Sequence, residues 1–195
     1  MEERELKNNY IFTLIKLILF LIIFCFLTKI SQSFWEMISS KENHAADTLV
    51  LSVISLFGFY AFFSDLNGFY KKIQNFFFRS SFFSYLVPSL IVVLGVGYFF
   101  LPKIFNFNFN KQIFTFLGGF CLTGHLVFIA RDTKGHNFNT FSNYLFIFSI
   151  LYILNLFIFI LYLKVAYPLN IGEIISEGVR GGAQLIQVIF TQAFR

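Results

Sequence analysis

The chain reads as an all-α, polytopic integral membrane helix bundle, with about five transmembrane helices and a C-terminal amphipathic helix. Three observations predict this. First, the 195 residues are 57% apolar and only 13% charged, whereas a soluble domain needs about a quarter of its residues charged to cover its surface. The missing charge points to a surface that faces lipid. Second, five apolar stretches approach the roughly 20 residues needed to cross a hydrocarbon core about 30 Å thick. Third, the sequence after Pro168 changes to a mixed polar and apolar pattern with helical spacing.

The bundle occupies residues 1–166, and the spans fall at Tyr10–Thr28, Thr48–Ser64, Phe82–Leu101, Ile113–Ala130 and Tyr144–Val165. The first is not a cleaved signal. Its leading segment MEERELK carries three glutamates, and no small-x-small site follows the apolar run. The second and fourth are short, so they extend by a turn or stand nearly upright. The third contains Pro88, which removes a helical donor and kinks the helix or marks an early turn. Gly95, Gly97, Gly118 and Gly119 are small sites where a neighbouring helix approaches closely. The connections are short and polar, and none is long enough for a soluble domain. Counting Lys and Arg near the span ends favours an N-terminus on the cytoplasmic side and a C-terminus on the other.

Charge is nearly absent from the spans. Lys16 and Lys164 lie close to span ends, where their stems let the ammonium reach the head groups. Without an Asp or Glu in mid-membrane, a proton- or sodium-coupled carrier is disfavoured. Asn155 is the strongly polar side chain near the centre of the fifth span. Its amide should find a partner on another helix, for about 1 kcal/mol.

Chemistry-bearing motifs are scarce. Cys25 and Cys121 sit in apolar runs, where they act as small hydrophobes. His44 falls on the opposite side of a five-span bundle from His125 and His136, and no CxxC or HExxH accompanies them. No cofactor or metal is therefore expected, nor a nucleophile–base pair. The net charge of +5 comes without a basic tract, so nucleic acid is not an expected partner.

Two regions carry what specificity remains. The loop Arg131-Asp132-Thr133-Lys134-Gly135-His136, with Lys71, Lys72 and Arg79 from an earlier loop on the same side, would form a basic surface suited to lipid head groups or a protein partner. The loop's bland reading is a solvated turn that anchors two helices.

In the C-terminal segment, residues 167–195, Glu173, Glu177, Arg180, Gln184, Gln187, Thr191 and Arg195 recur three or four residues apart, which is one stripe of an α-helix. The rest of that cylinder is apolar, so the helix is amphipathic, and its stripe makes it too polar for a sixth span. Gly178 and Gly182 form a small-xxx-small pair for close helix contact. Docking on a partner or on the chain's own bundle is one expectation; lying in the lipid interface is the other. The functional expectation is a non-enzymatic auxiliary or structural subunit of a larger membrane complex, bound to lipid and to other subunits or further copies of itself. The alternative is a small oligomeric transporter or channel component for an anionic or lipid substrate.

Overall fold

The computed structural model describes residues 2–41, 43–62, 66–105, 110–133 and 138–193. Among these the chain is all-helical. Its elements are α1 (Glu2–Lys41), α2 (Asn43–Phe62), α3 (Leu66–Phe77), α4 (Ser81–Leu86), α5 (Ser89–Phe105), α6 (Lys111–Asp132), α7 (Phe138–Lys164) and α8 (Ile171–Ala193). Four helical stretches are long and apolar enough to cross a membrane: Tyr10–Lys41, His44–Phe62, Lys111–Asp132 and Phe141–Lys164. A shorter apolar helix covers Ser89–Leu101. The surface matches: Phe62, Ile104, Ile54, Leu14 and many other large apolar side chains are exposed. In water such area would cost about 25 cal/mol per Å², so lipid is its natural medium.

The third expected span differs in form. α4 ends at Leu86, Val87 takes an extended conformation, and α5 starts at Ser89. Pro88 is the cause. It has no N–H to donate, and it pushes the residue before it out of the helical region. The connection expected between the second and third spans also contains a helix. In α3, Phe69, Tyr70, Ile73, Phe76 and Phe77 share one side, while Lys71, Lys72 and Asn75 share the other.

Packing follows from small residues and aromatic rings. α1 and α7 run parallel: the Ser142 hydroxyl donates to the Thr13 carbonyl, Lys16 Nζ donates to Asn143 Oδ1, and Phe34 meets Phe159 at the other end. α2 and α6 also run parallel, with Gly119 on Leu49 and Ser52, and Gly124 near Leu56. The Tyr162 ring lies against Gly118 and Gly95 and stacks on Phe114 at 4.0 Å. Its hydroxyl donates to the Phe114 carbonyl at 2.7 Å. Among the described residues, Gly97 meets only Leu101 of its own helix, so no described helix of this chain makes the approach expected there. Phe34, Ile38, Phe114, Phe159, Leu163, Tyr167 and Ile174 belong to one buried cluster.

α8 packs against α1 and runs antiparallel to it. Gly178 lies on Ile30 and Gly182 on Phe26, while Ile186 and Phe190 share a crevice with Ile22 and Ile18. Each four-residue step along α8 is thus a four-residue step back along α1. Of the two placements expected for this helix, docking on the chain's own bundle is the one observed. Its path runs beside the apolar turns of α1, although its stripe had suggested that it would stay outside the spans.

Candidate functional site

Two polar features stand out from the apolar bundle. The first is built around the helix break at Pro88. Breaking the helix frees backbone carbonyls that would otherwise accept from the next turn, and at membrane depth these need other donors. The Tyr85 carbonyl finds two. His125 Nε2 lies 3.1 Å from it, and Asn155 Nδ2 lies 3.4 Å away. Asn155 also donates to the Leu151 carbonyl of its own helix at 2.8 Å. The expected cross-helix partner of Asn155 is therefore a backbone oxygen released by Pro88.

The tautomer of His125 follows from this bond. A carbonyl only accepts, so the imidazole proton is assigned to Nε2, and Nδ1 becomes an acceptor. Gln74 Nε2 donates to it at 3.2 Å and also donates to the Tyr70 hydroxyl at 3.0 Å. His125, Gln74 and Asn155 are all fully buried. Burial pushes the Tyr70 phenol well above its ordinary pKa, so it stays a neutral hydroxyl. Gln74 Oε1, Asn155 Oδ1, Ser84 Oγ and Ser89 Oγ are buried without a partner among the described residues. Around the break, then, the spare capacity is all on oxygen.

Below this cluster lies the expected basic rim. Lys71 Nζ is 3.0 Å from Asp132 Oδ1, and the Tyr85 hydroxyl donates to the same carboxylate. The two loops do meet, but Lys71 spends its charge on Asp132. Lys72, Arg79 and Arg131 are exposed. Lys134 and His136 lie outside the described residues.

The second feature is the seam between α1 and α8. A Cβ on Gly178 would sit 2.7 Å from Ile30 Cα, and one on Gly182 would sit 3.0 Å from Phe26 Cα. Both glycines are thus used up by contact within the chain. Glu177 and Arg180 are exposed, as are Glu173, Gln184, Gln187 and Thr191. The Ser33 hydroxyl donates to Glu177 across the seam at 3.2 Å. On α1, Lys29 donates to Gln32, which donates to Glu36, so a polar ladder flanks the upper part of the stripe.

Comparison with known protein families, curated proteins and solved structures finds no match. Function is therefore argued from these two features alone. His125, Gln74, Tyr70 and Tyr85 were not singled out by sequence reasoning for the roles they take. Pro88 was the available signal, because a proline inside a span implies freed carbonyls and hence donors nearby. For α3, the recurrence of Leu66, Phe69, Tyr70 and Ile73 at helical spacing was visible, though hidden among lysines and asparagines.

Proposed function

We propose that this chain is a non-enzymatic subunit of a larger membrane-protein assembly, joined to it through the polar stripe of α8. One observation carries the reading: Arg180, Gln184, Gln187 and Thr191 are exposed while their helix lies along the apolar turns of α1. A polar group held against hydrocarbon costs about 1 to several kcal/mol when it finds no partner. Contact with another protein surface removes that cost. The opposite end supports a lipid role beside it, since exposed Lys72, Arg79 and Arg131 suit anionic head groups.

The helix break favours a second reading, a small oligomeric transporter or channel component for an anionic or lipid substrate. Interrupted helices with buried polar groups recur where membrane proteins bind what they carry. Extraction in a mild detergent, followed by affinity capture and native mass spectrometry, tests the first reading. It is expected to recover the chain in a complex of defined stoichiometry; a monomer under every mild condition would refute it.

A further inference from the structure

The occupant of the α8 stripe can be argued from the stripe itself. Because Gly178 rests on Ile30 and Gly182 on Phe26, the register continues regularly toward Ile22 and Ile18. It sets Gln184 and Gln187 beside the Leu21–Phe24 turn and Thr191 beside Leu17. All three are exposed at that level, flanked by exposed Val188 and Phe190. Higher on the same face stand Glu173, Glu177 and Arg180. No side-chain hydrogen bond or ion pair among the described residues engages the Arg180 guanidinium or the Gln184 and Gln187 amides. Beside Arg180, Gly181 rests on the stem of Lys29, a like charge.

We infer that the face is an interface with a second copy of this chain, α8 packing on α8. The inference rests on the assembly reading above and names its occupant. Two copies inserted with the same topology are related by an axis along the membrane normal, so groups at equal depth meet. The stripe is complementary to itself under that operation. A glutamine amide carries both donor and acceptor, so Gln184 and Gln187 can each bond their own counterparts. Glu177 and Arg180 are separated by three residues, about 4.5 Å along the helix, which an arginine side chain spans. Arg180 of each copy therefore reaches Glu177 of the other, forming two reciprocal pairs. The exposed Val188 and Phe190, one on either side of the stripe, supply apolar contact around them. A different protein would have to present the same order of acid, base and amides at the same depths.

Disulfide trapping in native membranes tests this, using the full chain with Cys25→Ala and Cys121→Ala. Gln184→Cys and Gln187→Cys are expected to give a cross-linked dimer of this chain. Ile54→Cys, on an exposed face of α2, is expected to give none. Arg180→Glu should weaken the dimer by about 30-fold or more, the ratio corresponding to roughly 2 kcal/mol for a broken desolvated pair. Adding Glu177→Arg should restore it, because both copies then carry the exchanged pair. Cross-links from position 184 to a different protein, without a dimer of this chain, would overturn the inference and leave the assembly reading standing. A chain that is monomeric in the same membranes would overturn both. A dimer in which Arg180→Glu has no effect would overturn the reciprocal pairing.

Discussion

At the scale of single residues, two buried polar side chains of the core, His125 and Asn155, are tied to one backbone oxygen. His125 joins the Tyr85 carbonyl to Gln74, and its replacement leaves a buried Gln74 N–H unsatisfied and the Tyr85 carbonyl with only the longer Asn155 bond. His125→Leu should therefore lower stability by about 2–3 kcal/mol, since each orphaned buried group costs roughly 1–3 kcal/mol. Thermal unfolding in detergent would show it, and an unchanged midpoint would mean that the bonds contribute nothing. Asn155→Leu should cost less, about 1 kcal/mol, because its other bond lies within its own helix. That Asn155 needs a partner was legible from its place in an apolar span. That His125 shares the partner was not, because the carbonyl is offered only once Val87 turns extended ahead of Pro88.

Among the elements, α8 departs furthest from expectation. The pairing of Gly178 and Gly182 was readable as a contact surface, and the structure gives that contact to α1. The stripe was readable too, but its meaning depended on where the helix lies, which local spacing does not encode. Gly178→Ile would force a side chain into Ile30, whose backbone cannot yield without the helices parting. Such overpacking costs about 1–3 kcal/mol or more. We expect earlier thermal unfolding for this variant and increased protease cutting within α8. Wild-type behaviour on both counts would show that the close seam does not hold α8 in place. α3 illustrates the opposite problem. Its apolar side is distributed between the bundle, where Tyr70 and Gln74 are buried, and the outside, where Phe69 and Phe76 are exposed. An interfacial helix of this kind has too many lysines and asparagines to look like a span and too many phenylalanines to look like a loop.

For the whole molecule, composition alone was enough to establish a helical membrane bundle, because an apolar surface of this extent has no other home. The order of elements through the bundle makes a topological prediction. α1 rises from Thr13 to Phe34 in parallel with α7, and α8 returns along it. Cysteines placed at Arg131 and Gln192 should thus react with an impermeant reagent from one side, and a cysteine at Lys41 from the other. Labelling of position 192 together with position 41 would overturn the antiparallel run of α8 along α1. The α1–α8 seam also has a consequence in time. α1 is made before α8, so the face of α1 from Ile18 to Ser33 must wait while the intervening helices are synthesised. During that interval Lys29, Ile30 and Ser33 lack the neighbour that later packs on their side of α1. This seam cannot close before α8 is made, and a chain stalled short of it would still display that uncovered face of α1.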